Sequence, residues 1–400
     1  MYGTDMNDSP SSRRTVFDHE HEAFRDSFRT FLHRRVIPEY DKWEADGLVP
    51  REVFVDAGAH GFLGMAVDDE FGGGGVDDFR FNAVMAEEVA RAGVMSFGIN
   101  LHNDICVPYF IRYADDEQRR RWLPGLCSGE LVAAIAMTEP GTGSDLAGIT
   151  STAVRRGDHF VLNGAKTFIS NGMNADVVIV AARTHNGTNR HGGLTLFVVE
   201  RDMAGFSRGR NLEKIGMHAQ DTAELFFDDV EVPVSNVLGE VNEGFRYLVS
   251  NLPQERMTIA VASAAAAATA VDLAVDYVSS RKAFGRQLSA NQNTRFTLAD
   301  AHVQTEVVRS FVDDCLRAHV AGELGADRAA MAKLAATEVQ GRVVDKCLQM
   351  FGGYGYMAEY PIARAYVDAR VQRIYGGTSE IMKEIIGKSL FDGVGRGETS

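Results

Sequence analysis

The sequence contains little cysteine, tryptophan and proline, with four, two and nine residues of each among 400. The cysteines, Cys106, Cys127, Cys315 and Cys347, are far apart and form no CxxC pair or Cys/His cluster. This spacing excludes the common zinc sites and a secreted disulfide framework, so no metal site is predicted. We expect a reducing, cytoplasmic compartment.

Long apolar runs and targeting signals are also missing. The longest uncharged stretch covers the 15 residues 257–271 and is mostly alanine, whereas a membrane span requires about 20 apolar residues. The first residues, MYGTDMNDSPSSRR, lack an apolar segment, and acids follow the two arginines, which argues against signal and transit peptides. We therefore expect no membrane span and a short flexible tail over residues 1–16.

There is no excess of positive charge. The chain has 55 acidic and 41 basic side chains, a net charge of −14, and no Lys/Arg block that would offset it locally. Nucleic acid is therefore not an expected partner. The hydrophobic share of 45% and the charged share of 24% are those of a folded globular chain. At this length we expect two to four domains or one large composite fold.

Composition and hydrophobic spacing divide the chain into three parts. Residues 17–130 show helical spacing, as in the stripe Phe24, Phe28, Phe31 and Leu32. Residues 131–240 contain short Val/Ile/Phe/Thr-rich runs between turn dipeptides, which predict an antiparallel β domain, a sandwich or barrel. The predicted strands are 160–162, 166–170, 177–182, 194–199 and 223–227, with Asn163-Gly164 and Asn171-Gly172 as turns.

Helical character returns in residues 241–400. We predict helices over 244–281, interrupted at Pro253, and over 296–321, 326–350 and 360–390. Helices, strands and helices thus follow one another in blocks. This order predicts an α+β fold and disfavours a Rossmann sheet, so NAD is not implied.

Two motifs of the β domain could bind a ligand. The first is Met137-Thr138-Glu139-Pro140-Gly141-Thr142-Gly143-Ser144-Asp145, a tight turn with exposed N–H groups and hydroxyls that suits an anion or the carbonyl-rich edge of a ring. The second, 166–172, places Phe168 and Ser170 two residues apart on one strand face, where an aromatic ring could cover a planar cofactor or be an ordinary core residue.

Two further motifs lie in the C-terminal helical part. They are Arg281-Lys282-Ala283-Phe284-Gly285 followed by Gln292, and Gln349-Met350-Phe351-Gly352-Gly353. Arginine and glycines that allow close approach fit a pyrophosphate, and an aromatic ring fits an adenine. Together and in this order, the four motifs resemble the acyl-CoA dehydrogenase family of flavoproteins, over residues 17–391.

The resemblance implies an N-terminal helical domain, a central β domain and a C-terminal four-helix bundle with FAD between the last two. It also implies a homo-oligomer, with a tetramer as the expected form, in which FAD reaches a neighbouring subunit, and electron-transfer flavoprotein as the electron acceptor. Phe168 takes the position where relatives often carry Trp, and Ser144 lies towards the CoA. The implied cofactor residues are Met137, Thr138, Gly143, Ser144, Phe168, Ser170, Arg281, Phe284, Gln292, Gln349, Gly352, Gly353, Thr378 and Glu380.

The catalytic base of many relatives is the Glu of a Tyr-Glu-Gly-Thr segment, and this chain has Tyr375-Gly376-Gly377-Thr378 instead. The long-chain and isovaleryl branches carry their base at the position of Glu255, in Leu252-Pro-Gln-Glu-Arg. We therefore expect Glu255 to remove the α proton of an acyl-CoA and the N–H of Gly376 to donate to the thioester carbonyl. The implied substrate-binding residues are Ser144, Gln254, Arg256, Tyr375 and Gly377.

The sequence leaves several questions open. Glu255 could be a solvated or Arg-paired helical glutamate, and Arg256 could be either a CoA contact or part of a surface ion pair. The substrate expectation is a straight medium-to-long acyl chain, as in fatty-acid β-oxidation, with an isovaleryl-type branched chain as the alternative. An acyl-CoA oxidase and a non-catalytic flavin or acyl-CoA binding protein are also compatible with these motifs.

Overall fold

The structure is a computed structural model that describes residues 14–185 and 192–391. Its N-terminal part is helical, and π-helical turns at Leu32–Val36 and Leu101–Cys106 precede α2 and α5. The helices of this part are α1 (His19–Phe31), α2 (Ile37–Asp46), α3 (Arg51–Ala59), α4 (Phe79–Arg91), α5 (Val107–Tyr113) and α6 (Asp116–Ser128).

The predicted apolar stripe of the first helix holds this domain together. Phe28, Phe31 and Leu32 are buried in one aromatic cluster with Phe62, and Phe24 packs against its edge. Most of the predicted tail, residues 1–13, lies outside the described residues. Its last residues are packed, because Val16 is buried and Arg14 forms ion pairs with Glu87 and Asp313.

The middle of the chain forms an eight-stranded sheet with the order β6-β7-β3-β2-β4-β5-β8, and β1 pairs with β4. The prediction of an antiparallel sheet is only partly right, since β4 pairs in parallel with both β1 and β2. The strands are β1 (Ala133–Ala136), β2 (Thr152–Arg156), β3 (His159–Ser170), β4 (Val177–Arg183), β5 (Leu194–Glu200), β6 (Phe206–Asn211), β7 (Thr222–Pro233) and β8 (Val237–Leu238).

The predicted turn at Asn163-Gly164 is wrong, because these residues lie inside strand β3. The pairing of β3 with β7 shifts register between Leu162 and Gly164, which is a β-bulge. Gly164 has φ +149°, and a Cβ there would come within 2.2 Å of the Ser151 hydroxyl. The glycine therefore allows strand β3 to bend and to approach Ser151 closely, and it does not mark a hairpin turn.

The C-terminal part is helical, as predicted, and the α+β fold class is confirmed, but the helix Gly244–Ser280 runs through Pro253 without the predicted interruption. Its helices are α7 (Gly244–Ser280), α8 (Gln292–Val320), α9 (Ala326–Phe351), α10 (Pro361–Ala369) and α11 (Ser379–Ser389), with the short strands β9 (Lys282–Ala283) and β10 (Arg286–Gln287) after α7. The single helix predicted over 360–390 is wrong. Gly376 and Gly377 have φ +63° and +96°, a left-handed backbone that ends a helix.

Helix α7 is the centre of the molecule. It packs against α4 of the N-terminal part, α8 and α9 of the C-terminal part, and β5 of the sheet. Within the described residues it is the one helix long and apolar enough to cross a membrane by length and composition, but 72% of its most apolar window is buried inside the protein. The alanines of this window fill the core shared with α4, α8 and α9.

Candidate active site

The loop that follows β1 is organised around the buried carboxylate of Glu139. Its oxygens accept hydrogen bonds from the N–H and hydroxyl of Thr150, the N–H of Ser151 and the ammonium of Lys166, at 2.6–2.9 Å. Lys166 also donates to the carbonyl of Met137, at 3.1 Å. One buried ion pair thus fixes the loop 137–151 to strand β3.

Electrostatics keep Glu139 ionised. Burial opposes its ionisation, but the charge of Lys166 and the hydrogen bonds from residues 150 and 151 lower the pKa of Glu139 to about 2. Burial lowers the pKa of the Lys166 ammonium, and Glu139 opposes this shift. The residues next to this pair in sequence are also joined, since the carbonyl of Thr138 accepts a hydrogen bond from the N–H of Thr167 at 3.0 Å. Gly143 and Ser144 are exposed on the loop.

A second bulge in β3 turns Phe168 out of the sheet. The pairing with β7 shifts between Lys166 and Ile169, and Phe168 has the unusual φ of +59° for a residue with a side chain. Phe168 is 68% exposed, whereas Ile169 is buried and Ser170 is partly exposed. The strained backbone presents an aromatic face beside the loop that carries Thr138, where a planar ring can stack.

A pocket of about 460 Å³ opens where α7 ends near the end of α9. Arg281, Gly352 and Gly353 line it, together with the rings of Tyr277 and Tyr354. A Cβ at either glycine would meet nothing within 4 Å, so the backbone here is open to a ligand. Arginine and open backbone suit a phosphate group.

The hairpin β9–β10 carries Phe284 at its tip with φ +51°, followed by Gly285 at +79°, as in a tight two-residue turn. The Phe284 side chain is fully exposed. Gln292 at the start of α8 and Gln349 near the end of α9 are exposed as well. These predicted cofactor residues therefore lie on the surface of the chain.

The predicted base, Glu255, is buried on α7 with only 4% of its surface exposed. Its Oε1 accepts hydrogen bonds from the hydroxyl of Tyr109 at 3.3 Å and the amide of Asn251 at 3.4 Å. Burial raises the pKa of Glu255 to about 7, although both donors and the charge of Arg256 act in the opposite direction. A carboxyl of this pKa is suited to accept a proton at neutral pH.

The loop 375–378 faces α7 one turn after Glu255. A Cβ on Gly376 would lie 2.5 Å from Cδ1 of Ile259, so residue 376 is directly against this helix. Lys333 of α9 donates to the carbonyl of Gly377 at 2.6 Å, and Tyr375 donates to Gln372 at 2.7 Å. Thr378 caps α11, whose first turn carries the exposed Glu380.

The neighbours of Glu255 in sequence are held inside the protein. Gln254 accepts from Arg112 and donates to the carbonyl of Asp104, so both ends of its amide are used. Arg256 is buried, which excludes a surface ion pair, and its Nε has no hydrogen-bond partner among the described residues. Burial, and to a smaller extent the charge of Arg256, lower the pKa of the Lys333 ammonium to about 8.

The structure brings the predicted residues together in two groups. Met137 packs against the large apolar cluster that also contains Tyr109, the hydrogen-bond donor to Glu255. Arg281 is 26 residues beyond Glu255, directly after the end of the same helix, roughly 39 Å away at 1.5 Å per residue. The residues that line the Arg281 pocket therefore form a second group, remote from Glu255 within one chain.

The sequence motifs do not single out Tyr109, Asn251 or Lys333. Tyr109 lies in an apolar helix and resembles a core aromatic, and its contact with Glu255 joins residues 146 positions apart. Asn251 lies one helical turn before Glu255, and this i to i+4 spacing is a sequence signal that the two side chains are neighbours.

Three family models match consecutive parts of the chain. They are described as acyl-CoA dehydrogenase, N-terminal domain, for residues 18–130, middle domain for 134–230, and C-terminal domain for 242–391. Together they cover most of the chain.

Individual proteins are similar over nearly the whole length. The long-chain specific acyl-CoA dehydrogenase of Sus scrofa mitochondria is 45% identical over 97% of this chain and 92% of its own. The crystal structure of acyl-CoA dehydrogenase from Geobacillus kaustophilus has a TM-score of 0.92 and 47% identity, covering 94% and 98% of the two chains. A glutaryl-CoA dehydrogenase of Mycobacterium smegmatis, solved in complex with FADH2, has a TM-score of 0.87 and 28% identity, covering 94% and 96%.

Proposed function

This chain belongs to the acyl-CoA dehydrogenase family of FAD enzymes, and we propose that it converts straight, medium-to-long acyl-CoA thioesters to trans-2-enoyl-CoA. The observation that carries the proposal is the buried Glu255 carboxyl on a helix that faces the side-chain-free loop at Gly376. The identity of 45% to a long-chain specific enzyme supports the choice of acyl chain.

Glu255 is the base in this proposal. Its pKa near 7 means that a substantial fraction is ionised at neutral pH, and the ionised carboxylate accepts the α proton of the substrate. Burial keeps water from competing for that proton. The alternative of a solvated or Arg-paired glutamate finds no support, since Glu255 is buried and its hydrogen bonds come from Tyr109 and Asn251.

The loop at Gly376 binds the thioester in this proposal. Removal of the α proton places negative charge on the carbonyl oxygen, and a fixed N–H donor stabilises it. The loop is held for this task by Lys333, which donates to the carbonyl of Gly377. The missing side chain at 376 leaves the space beside Ile259 to the substrate and to Glu255.

The residues present fit FAD, which when bound supplies the acceptor for the β hydride. Thr138, Phe168 and Ser170 offer hydroxyls and an exposed aromatic face to its ring. Arg281 and the open glycines at 352 and 353 line a pocket of phosphate-binding character. The ionised Glu139 fixes the loop on the ring side through Lys166.

We further propose that FAD is shared between subunits of a homotetramer. Glu255 and the Arg281 pocket are roughly 39 Å apart along α7, so in this proposal a neighbouring copy brings such a pocket to the site of Glu255. Exposed apolar residues on one face of α8, Phe296, Val303 and Val307, and the fully exposed Phe284 support such an assembly. Sedimentation of the holoprotein checks it, and a monomer that keeps FAD would contradict it.

The substrate is tested by anaerobic titration of the purified holoprotein with octanoyl-, palmitoyl- and isovaleryl-CoA, following the flavin absorbance. We expect rapid bleaching with the two straight chains and slow bleaching with isovaleryl-CoA. A clear preference for isovaleryl-CoA would reject the straight-chain proposal in favour of a branched substrate. Absence of bleaching with every acyl-CoA would favour a non-catalytic binding protein.

The electron acceptor belongs to the same proposal. Electron-transfer flavoprotein is the expected acceptor, in a reducing cytoplasmic compartment that suits the four buried, unpaired cysteines. Turnover with this acceptor, without hydrogen peroxide in air, supports a dehydrogenase. Peroxide formed at the rate of turnover would identify an oxidase.

A further inference from the structure

Tyr109 is fully buried on α5, and its hydroxyl donates to Oε1 of Glu255 at 3.3 Å. Its ring packs in the apolar cluster that also contains Phe110 and Tyr247. A buried hydroxyl needs a hydrogen-bond partner, and here the partner is the carboxyl proposed as the base. The contact joins the N-terminal helical part to α7.

The hydrogen bonds to Glu255 from the described residues end on the same oxygen. Asn251 donates to Oε1 as well, at 3.4 Å. Arg112 donates to the Asn251 carbonyl at 2.7 Å, which fixes the amide so that its NH₂ group faces Glu255. Oε1 is thereby held from two helices, and Oε2 can face the substrate without either bond being broken.

The backbone before Tyr109 fixes its position. The π-helical turn Leu101–Cys106 directs the carbonyls of Asp104 and Ile105 towards α7, where they accept the amides of Gln254 and Asn251. Pro108 lies in the first turn of α5, where its ring suits a helix start. π-turns of this kind are frequent at functional sites.

We propose, on the basis of the proposed function, that Tyr109 is a positioning residue: its hydroxyl holds Oε1 of Glu255, so that Oε2 receives the α proton. Tyr109 acts as a donor at every relevant pH, because burial and the nearby Glu255 raise the pKa of its hydroxyl well above 10. A donor to a carboxylate stabilises the ionised form, which is the form that accepts a proton.

Other groups face Glu255 and remain in place when the Tyr109 hydroxyl is removed. Cys106 of the π-turn lies close enough for Glu255 to raise the pKa of its thiol, a smaller effect than that of burial. Arg256 is the nearest cation on α7, with Lys333 of α9 beyond it. Arg112 of α5 acts through Asn251. The loss of one hydroxyl therefore changes one hydrogen bond and no charge.

The test compares Tyr109→Phe with Tyr113→Phe in the FAD-loaded protein. Tyr113 lies one turn later on α5, and its hydroxyl contacts Ser250 rather than Glu255, which makes it a matched control. Two quantities are measured against pH: the infrared carboxyl signal of Glu255, assigned by subtraction of Glu255→Gln, and the rate of flavin reduction by the acyl-CoA preferred by the wild type.

We expect Tyr109→Phe to raise both midpoints by about half to one pH unit, so that flavin reduction is about three- to tenfold slower on the acidic side. Tyr113→Phe should leave both midpoints unchanged. An unshifted infrared midpoint in Tyr109→Phe would overturn the proposal for Tyr109. Full activity of Glu255→Gln would instead reject Glu255 as the base, and the infrared titration separates these two failures because it needs no substrate.

Discussion

Glu255 has two properties that matter for a base, a pKa near 7 and little contact with water. Glu255→Gln preserves its shape and removes its ability to accept a proton. We expect FAD and acyl-CoA to bind as before, with flavin reduction slowed at least about 10²-fold, the lower end of a general-base contribution. Stopped-flow absorbance measures this rate.

The control is Asp276→Asn, which removes an exposed acid from the same helix. It should reduce flavin at the wild-type rate. Dehydrogenation by Glu255→Gln at a rate similar to that of the control would contradict the assignment of the base.

The pH dependence of the wild type follows from the same residue. Because the ionised form of Glu255 accepts the proton, flavin reduction should accelerate as the pH rises through about 7 and level off above it. The midpoint is obtained from single-turnover rates in buffers of constant ionic strength. A rate that falls over this range would mean that a protonated group is needed instead.

At the scale of secondary-structure elements, the Lys166–Glu139 pair joins strand β3 to the loop after β1. Lys166→Met leaves Glu139 buried without its cation, which should destabilise the protein by about 3–5 kcal/mol and reduce its FAD content. The double variant Lys166→Met with Glu139→Gln should recover part of this loss, because no charge is then buried. Chemical denaturation and the flavin-to-protein absorbance ratio measure both effects.

The exposed pair Lys388–Glu384 on α11 provides the comparison. Lys388→Met should change stability by no more than about 0.5 kcal/mol, since surface pairs contribute little. Equal effects of the two lysine substitutions would contradict a structural role for the buried pair.

The loop between α10 and α11 depends on Gly376. Gly376→Ala introduces a Cβ at φ +63°, where alanine strains the backbone, and 2.5 Å from Ile259 Cδ1, so the loop or the Ile259 side chain must shift. We expect flavin reduction to slow about tenfold or more, with FAD content unchanged, because a shift of about 1 Å in the thioester site is costly. Rapid mixing with acyl-CoA measures the rate.

Gly387→Ala is the matched control, since Gly387 is inside α11 and a Cβ there would meet nothing within 4 Å. It should leave the rate unchanged and stabilise the protein by up to about 1 kcal/mol. A wild-type rate in Gly376→Ala would show that the loop tolerates the side chain.

The same elements show what sequence patterns could and could not predict. The helical stripe at Phe28 and the strand run 177–182 were predicted, because periodicity reports which face is buried. The turn prediction at Asn163-Gly164 fails because this glycine accommodates Ser151, the residue directly before β2, a contact that is not local in sequence. Glu255 was predicted from the resemblance and from the empty position 376, whereas its partner Tyr109 required the three-dimensional packing.

At the scale of the whole molecule, buried carboxyls make stability depend on pH. Burial raises the pKa of Asp104, Glu255 and Asp368 to about 7 from unfolded values of 3.8–4.5. A raised folded pKa contributes stability below the unfolded value, and this contribution is lost as the pH rises through the folded value. Glu139 has a lowered pKa, and its contribution is fully present above about pH 4.5.

The free energy of unfolding should therefore fall between about pH 4.5 and 7.5, by on the order of 1–3 kcal/mol for each of the three carboxyls. Urea unfolding at several pH values measures the slope. Asp104→Asn should make it shallower, and Asp300→Asn, which changes an exposed acid on α8, should not. A slope that is the same in all three proteins would mean that Asp104 does not contribute.

Helix α7 links these effects, because it carries Glu255 and also packs against the N-terminal helices, the sheet and the C-terminal helices. The enclosure of Glu255 has a consequence for isotopic labelling. A deuteron taken from the α carbon has little water with which to exchange while the ligand covers the carboxyl. With a substrate analogue that cannot complete oxidation, the label should return to the carbon it left more often than it appears in the solvent.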